Sequence, residues 1–432
     1  MIKNPKILWR QAKKIIPGGN GLLSKRPERF LPSGWPTYYT KSKGVYVWDL
    51  KKKKYIDMSL MGIGSCVLGY NNSFINNFVK KSIDKGINTT LNCYEEISLA
   101  KELLKIDSFA DQVKFARGGG EAMSLAVRIA RSKSKKSKVI FCGYHGWHDW
   151  YLAANLKNIN NLNNHLLKKL KPVGVPKELK NSAYPLEFNS LKQLNILTKK
   201  NNVAAIVIEP SRYSYLEPKF ITRLNSICKN KKIILIVDEI TSGWRECLGG
   251  VYKKIGLKPD MVVYGKALGN GYAISSVLGK KKVMDIAQDT FVSSTAWTER
   301  VGFAAALAVI KYHKNNRVFE HNRNIGRLIK KGLIQISKKY KIEITVNQID
   351  TVINFNFKNK GEYYGTLFTE LMLKKKYLAS NLIYVSYFHK KEIIKKYLKD
   401  VDEVFSKISI SIKNKKKILK SKIRIFSYKR NK

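Results

Sequence analysis

The sequence predicts an α/β protein with a mostly parallel, mixed sheet that is covered by helices on both faces. Continuous apolar runs such as VAAIVI and IILIV are typical of strands buried on both faces. These runs alternate with helix-length amphipathic segments along the middle of the chain. With 432 residues, 44% of them hydrophobic, the chain is long enough for a large domain and a smaller one.

The predicted elements follow in order. Helix ILWRQAKKII ends at PGGNG, and GVYVWDLKKKKYIDMS predicts two short strands. Helix EEISLAKELLKI then leads to strand QVKFAR, a glycine cluster, helix EAMSLAVRIARSKS and strand KVIFCG. Strand VAAIVIEP, helix FITRLNSICKNK and strands IILIVDEI, MVVYG and AISSVLG complete the middle region.

Four segments are expected from these patterns. Residues 1–60 form an N-terminal arm and part of a small domain, and residues 61–315 form the large domain. Residues 316–410, which are rich in lysine and contain the strands IEITV and TVINFNF, complete an α+β small domain. Residues 411–432 form a basic tail.

Composition argues against several classes of protein. The five cysteines are scattered without a C-x-x-C pair, which disfavours a disulfide framework or a zinc site. The spacing of His145 and His148 does not suit a helical zinc pair, so no metal is expected. No apolar run approaches membrane-spanning length and the first residues lack a secretory leader, so a cytoplasmic protein without a membrane partner is expected.

The formal net charge of +51 suggests a nucleic-acid-binding protein at first sight. The lysines, however, are spread along the whole chain, and the basic segments lack interleaved stacking aromatics. No nucleic-acid partner is therefore expected. The tail SIKNKKKILKSKIRIFSYKRNK keeps a non-catalytic polyanion-binding protein as an alternative of another class.

The segment ARGGGEAMSLAVRIAR places three glycines between a strand and a helix. Backbone amides at such a helix start form an anion site, and a phosphate is the obvious ligand. The segment lacks the lysine and hydroxyl residue that end a Walker loop. Glycines at a strand-to-helix turn can also be purely structural.

Two further strand ends carry polar or aromatic groups. Asp238 and Glu239 end the buried strand IILIVDEI, at the edge where open α/β sheets bind ligands. A carboxylate there needs a partner, which can be a metal, an arginine or a protonated ring nitrogen, unless it caps the next helix. In CGYHGWHDW, aromatic side chains suit the face of a flat heteroaromatic ligand, and plain packing competes with this interpretation.

Lys266 follows a β-branched run in VVYGKALGNGY, where the strand stops and glycines loosen the backbone. It is either a solvated charge or an amine nucleophile activated by its surroundings. A phosphate site, a strand-end aspartate, an aromatic cover and a lysine together meet the requirements of pyridoxal phosphate, whose ring is an electron sink. Lys266 is therefore predicted to be the Schiff-base lysine.

The order and spacing of these motifs resemble the class III pyridoxal-phosphate-dependent aminotransferases of fold type I. Within that family the sequence most resembles the glutamate-1-semialdehyde 2,1-aminomutase branch. The resemblance runs over most of the chain, through IIPGG, FARGGGEAMSLAVRIAR, GYHGW, IVIEP, LIVDEITSGWR, PDMVVYGKALGNGY and SSTAWTERVGFAAALA. It implies a large pyridoxal-phosphate-binding domain and a smaller domain built from the N- and C-terminal segments.

The resemblance also implies roles for single residues. Lys266 is expected to form the Schiff base and to act as general acid and base, and Asp238 to pair with the ring nitrogen. The further cofactor-binding positions are Gly119, Gly120, Tyr144, His145, Glu209 and Thr295. In the family the equivalent of Thr295 reaches the phosphate from the other subunit, which implies a homodimer with shared active sites.

The sequence departs from the aminomutase pattern at several positions. Gly118, Gly119 and Gly120 stand where the family has Ser-Gly-Thr, which keeps backbone contacts to the phosphate and removes hydroxyl contacts. Ile63 stands where the aminomutase has tryptophan. Arg26 or Arg29 is a candidate to clamp a substrate carboxylate, with Glu209 also near the substrate, and a surface charge is an equal or better interpretation of either arginine.

The predicted activity is amino-group transfer of the aminomutase type, which cycles through pyridoxamine phosphate and gives 5-aminolevulinate by intramolecular transfer. The aromatic-rich GYHGWHDWYLAANL favours an alternative. That alternative is a class III transaminase that moves an amino group from an amino acid to a keto-sugar or other carbonyl acceptor in surface-polysaccharide metabolism. A protein of this fold that has lost catalysis is disfavoured by Lys266 and Asp238.

Overall fold

The structure is a computed structural model that describes residues 4–199, 201–211 and 214–425. Two compact units divide the described residues. One comprises residues 4–72 and 317–425, and the other comprises residues 73–316. The domain limits predicted at residues 60, 315 and 410 stay predictions. In the part of the chain that the structure describes, no helix is long and apolar enough to cross a membrane.

The helices and strands are numbered along the chain. The helices are α1 Pro5–Ile15, α2 Ser73–Ile83, α3 Tyr94–Ile106, α4 Gly119–Ser134, α5 Asp149–Leu152, α6 Leu191–Leu197, α7 Pro218–Asn230, α8 Tyr252–Ile255, α9 Lys281–Met284, α10 Arg300–Asn315, α11 Val318–Lys339, α12 Gly361–Lys374 and α13 Lys391–Lys413. The strands are β1 Tyr39–Lys43, β2 Tyr46–Asp49, β3 Lys54–Met58, β4 Gln112–Ala116, β5 Lys138–Cys142, β6 Ala183–Pro185, β7 Val203–Ile208, β8 Ile234–Asp238, β9 Met261–Tyr264, β10 Ser275–Gly279, β11 Ile344–Val346, β12 Val352–Phe357, β13 Tyr377–Ala379 and β14 Leu382–Tyr384.

The unit of residues 73–316 is built on a seven-stranded sheet in the order β4-β10-β9-β8-β7-β5-β6. Strands β6, β5, β7, β8 and β9 pair in parallel, and β10 runs antiparallel to both β9 and β4. Every residue of β7, β8 and β9 is buried, as their continuous apolar runs predict. The predicted mostly parallel, mixed sheet between helices is confirmed.

Helix α4 covers this sheet through small apolar residues. Ala122, Ala126 and Ala130 are fully buried at helical spacing, and the helix packs against strands β4 and β7 to β10. Small side chains at these positions let the helix approach the strands closely. The helix start is therefore held at the edge of the sheet where β4 ends.

Strand direction brings several loops to one edge. The carboxyl ends of β5, β7, β8 and β9 share an edge because these strands are parallel. Strand β4 runs in the same direction, since β10 is antiparallel to both β4 and β9. The residues that follow these five strands therefore emerge together, which is where an open α/β sheet binds its ligand.

The unit of residues 4–72 and 317–425 has two small sheets, in the orders β1-β2-β3-β13 and β11-β12-β14. The two strands predicted from IEITV and TVINFNF are present as β11 and β12, which pair antiparallel. Their core packs against side chains of α11, α12 and α13. It includes Phe355 of β12, Phe368 of α12, and Tyr397 and Phe405 of α13. Strand β13 pairs in parallel with β3, although some 320 residues separate Tyr377 from its partner Ile56 along the chain.

The predicted basic tail, residues 411–432, is folded in its first part. Residues 411–413 end α13, and the backbone amides of Lys420 and Ser421 donate to Glu370 Oε2 at 3.0 and 2.9 Å. The amide of Ile425 donates to Glu28 O at 2.8 Å. Residues 426–432 of the tail lie outside the described residues.

Candidate active site

Lys266 lies directly after β9, where the sequence placed it. Gly265 follows the strand, and Lys266 begins a 3₁₀ turn that ends at Gly269. The backbone φ of Lys266 is +43°, in the left-handed region that residues other than glycine seldom adopt. Its Nζ donates to Thr241 Oγ1 at 2.7 Å. Strain of this kind concentrates at functional sites, where the surrounding structure holds it in place.

Asp238 ends β8 with a buried carboxylate that is only 3% exposed. Its Oδ2 lies 2.7 Å from Nδ1 of His145, and its Oδ1 accepts from the amide of Ile240 at 3.0 Å. His145 is also buried, and its Nε2 has no hydrogen-bond partner among the described residues. A carboxylate and an imidazole thus form a fixed pair at the sheet edge, with the buried negative charge available to a cationic ring.

Tyr144 and Glu209 belong to the same cluster. Glu209 follows β7 and accepts a hydrogen bond from the amide of Tyr144 at 3.2 Å. Burial, followed by the charges of Asp238 and Glu209, raises the pKa of the Tyr144 hydroxyl, which therefore stays neutral. Gly143 precedes this turn at φ +124°, and a Cβ there would lie 2.3 Å from Glu209 Oε2. Only glycine fits there.

The glycine cluster forms the start of α4. The carboxylate of Glu121 accepts from the amides of Arg117 and Gly118 at 2.9 and 3.2 Å, in a capping box. A Cβ on Gly119 would lie 2.9 Å from Ile240, and a Cβ on Gly120 would lie 3.1 Å from the ring of His148. The loops after β5 and β8 therefore pack against the backbone of Gly119 and Gly120, where a side chain would be crowded. A backbone without side chains lets an anion approach the helix start closely.

Thr295 and Arg26 lie on segments other than the strand ends that carry this cluster. Thr295 is exposed and begins a 3₁₀ turn that ends at Thr298. Arg26 belongs to the other compact unit, where its guanidinium packs so close to Gly18 that a Cβ on that glycine would lie 1.9 Å from Arg26 Nη2. Ile63, in the same unit as Arg26, has φ +60°, which is rare for a β-branched residue.

Two residues of this region were missed by sequence reasoning. Thr241, three residues after Asp238, bonds the lysine. Arg117 fixes the segment that carries Thr295 through carbonyls of its neighbours, including Ala296 O at 2.5 Å and Trp297 O at 3.1 Å. Their positions next to the DE pair and the glycine cluster were the available signals, but no residue type or spacing distinguishes them.

The chain matches the family model described as aminotransferase class-III over residues 32–392. It belongs to the class III aminotransferases. The match covers most of the chain and includes every predicted site residue except Arg26. This class III aminotransferase is a pyridoxal-phosphate-dependent enzyme, as the sequence predicted.

Curated relatives of this aminotransferase carry more than one activity. It is 30% identical over 368 residues to a glutamate-1-semialdehyde 2,1-aminomutase of Nitrosopumilus maritimus. That alignment covers 82% of this chain and 84% of the relative. It is 28% identical over 323 residues to a 3-aminobutyryl-CoA aminotransferase of Cloacimonas acidaminovorans. That alignment covers 72% of this chain and 73% of the relative. Both kinds of enzyme are thus similar to this chain.

A solved structure supports the fold. The FumI protein of a Sphingopyxis species, described as a pyridoxal phosphate internal aldimine form, superposes with a TM-score of 0.86. The match covers 97% of this chain and 98% of that one at 22% sequence identity. The predicted fold type I is therefore confirmed.

Proposed function

We propose that this aminotransferase uses Lys266 as its Schiff-base lysine and acts as an aminomutase of the glutamate-1-semialdehyde 2,1 type. One observation carries the assignment of the site. Lys266, the Asp238–His145 pair and the glycine start of α4 all follow strands whose ends share one edge of the sheet. Three groups at one edge of the sheet match three parts of pyridoxal phosphate. The lysine suits its aldehyde, the buried carboxylate suits its ring nitrogen, and the helix start suits its phosphate.

Each residue of the cluster has a distinct task in this proposal. Lys266 holds the cofactor and, once free, moves the proton next to the transferred nitrogen as general base and acid. Asp238 keeps the ring nitrogen protonated, and His145 fixes the orientation of that carboxylate through Nδ1. Bound in this site, pyridoxal phosphate supplies the electron sink for a carbanion at the reacting carbon.

The remaining positions bind and orient the cofactor. The amides of Gly119 and Gly120 bind the phosphate at the positive end of α4. The Tyr144 ring covers one face of the cofactor, and Glu209 holds the Tyr144 backbone in place for this contact. Arg26 is proposed as a clamp for a substrate carboxylate, since a guanidinium binds carboxylates in a bidentate manner.

Substitution of the lysine tests the assignment of the site. Lys266→Ala should abolish the visible absorbance of a lysine-bound cofactor while the unfolding midpoint stays near that of the wild type. Lys280→Ala, which removes an ion pair with Asp260 at 2.9 Å, is a control lysine change outside the site. Retained absorbance in Lys266→Ala would show that another lysine holds the cofactor.

The aminomutase assignment is supported by relatives that align with most of this chain, including an Acetivibrio thermocellus enzyme that covers 95% of it at 26% identity. It is tested with the pyridoxamine form, glutamate-1-semialdehyde and no other amino donor. Multiple turnovers to 5-aminolevulinate are expected, because the transfer is intramolecular and needs no net donor. Turnover that requires an added amino acid would instead favour an intermolecular transaminase.

An intermolecular transaminase is the second candidate, because the 3-aminobutyryl-CoA aminotransferase is similar over 72% of this chain. The earlier prediction of a keto-sugar acceptor belongs to this candidate. If the aminomutase assay gives no product, a panel of 3-oxoacyl thioesters and keto-sugars with a fixed amino donor separates these two acceptors.

A homodimer with shared active sites completes the proposal. Thr295 is exposed on its own chain, as a residue that serves a neighbouring subunit should be. Leu91, Tyr94 and Ile97, at and before the start of α3, are more than 60% exposed and offer apolar surface for such a contact. Sedimentation should show a dimer. Mixing inactive Lys266→Ala and Thr295→Ala proteins under subunit exchange should restore activity if Thr295 serves the partner's site.

A further inference from the structure

The turn after β8 places a hydroxyl against the amine of Lys266. Thr241 Oγ1 accepts a hydrogen bond from Lys266 Nζ at 2.7 Å. The turn is fixed at both ends, since the amide of Ile240 donates to Asp238 Oδ1 at 3.0 Å and Arg245 Nε donates to Thr241 O at 3.1 Å. Arg245 is fully buried, so the backbone that carries the hydroxyl is anchored in the protein interior.

We infer that Thr241 is a positioning residue for the Schiff-base lysine, an inference that rests on the proposed role of Lys266. The lysine side chain has a flexible four-carbon stem, and an amine that samples many rotamers attacks a carbonyl rarely. The hydroxyl of Thr241 restricts the amine to one orientation. Threonine is suited to this task because its branched Cβ restricts its own side-chain rotamer.

A hydroxyl serves both protonation states of the lysine. It accepts a hydrogen bond from the ammonium group and can donate one to the lone pair of the neutral amine. With pyridoxal phosphate bound, the Lys266 nitrogen would take the place of the aldehyde oxygen, which would leave with the two amine protons as one water molecule. Thr241 neither gains nor loses a proton overall, so it acts on the orientation and the protonation of the amine rather than as a reactant.

The hydroxyl of the next residue, Ser242, cannot replace the hydroxyl of Thr241. Ser242 Oγ donates to Glu239 Oε2 at 2.5 Å, and the same carboxylate accepts from the amide of Tyr252 at 2.7 Å. Ser242 is thereby committed to holding the loop, whereas the Thr241 hydroxyl points to the lysine. The same turn therefore fixes Asp238 for the ring nitrogen and Thr241 for the amine.

The test mixes cofactor-free protein with pyridoxal phosphate in a stopped-flow instrument and follows the visible absorbance of Schiff-base formation over a range of pH. Thr241→Val keeps the shape and removes the hydroxyl. It should slow formation about 5- to 10-fold, the value of one lost hydrogen bond, and shift the pH profile of the rate. Thr241→Ser keeps the hydroxyl and should stay within about 2-fold of the wild type in rate, with the wild-type pH profile.

A second readout uses the cofactor-free protein alone. A limiting amount of acetic anhydride acetylates exposed amines, and mass spectrometry gives the extent of Lys266 acetylation relative to Lys280 as an internal standard. The pH dependence of Lys266 acetylation should differ between Thr241→Val and the wild type. Unchanged rate and unchanged labelling in Thr241→Val would overturn the inference while the proposed function stands. A wild type that forms no Lys266-dependent absorbance would overturn both.

Discussion

Arg117 should control the conformation of the segment that carries Thr295. Its guanidinium donates to four main-chain carbonyls, those of Ala273, Ala296, Trp297 and Glu299, and its side chain is only 14% exposed. A hydrogen bond to a charged donor contributes about 1.5–3 kcal/mol, but bonds that share one group do not add. Removing the whole group in Arg117→Ala should cost about 3 kcal/mol of the free energy of unfolding, since four main-chain carbonyls lose a charged donor together.

Arg128 offers a matched control. It makes one hydrogen bond to a nearby carbonyl, that of Phe291 at 3.2 Å, and this contact is exposed. Arg128→Ala should therefore cost less than about 1 kcal/mol. Urea unfolding measures both costs, and limited proteolysis should cleave the segment near Thr295 faster only in Arg117→Ala. Equal costs in the two variants, with equal cleavage rates, would refute the reasoning.

Two further perturbations follow from the structure. Burial raises the pKa of Glu239 to about 7, so the folded state retains its proton and the free energy of unfolding should fall as the pH rises from about 4.5 through 7. In Glu239→Gln, the loss of free energy of unfolding between about pH 5 and pH 8 should be smaller by up to about 3 kcal/mol, as measured by urea unfolding. The same pH dependence in the variant and the wild type would contradict this assignment to Glu239. Gly146→Ala should destabilise by about 2–4 kcal/mol and weaken pyridoxal phosphate binding, since its Cβ would lie 2.7 Å from Gly120 Cα at φ +101°. Gly174→Ala has a comparable φ of +85° in open space and should cost only about 1 kcal/mol, so equal losses by thermal or urea unfolding would contradict the clash.

Much of the candidate site could be read from the sequence because single strand ends and loops carry it. The apolar runs of β7, β8 and β9 predicted a sheet buried on both faces, and the structure confirmed it. Parallel strands send their carboxyl ends to one edge, so Asp238 and Lys266 could be expected near each other. Glycine clustering before α4 predicted an anion site by the same local logic.

Pairings between distant segments were decided by the tertiary structure. His145 bonds Asp238 across 93 positions of sequence, and Lys266 bonds Thr241 across 25. Arg117 reaches Ala296 across 179 positions. Hydrophobic periodicity reports which residues are buried, whereas these contacts depend on strand order and register, which bring particular loops together. The sequence by itself determined the fold class and named the candidate reactive groups, and the packing of loops at the sheet edge decided which side chains contact them.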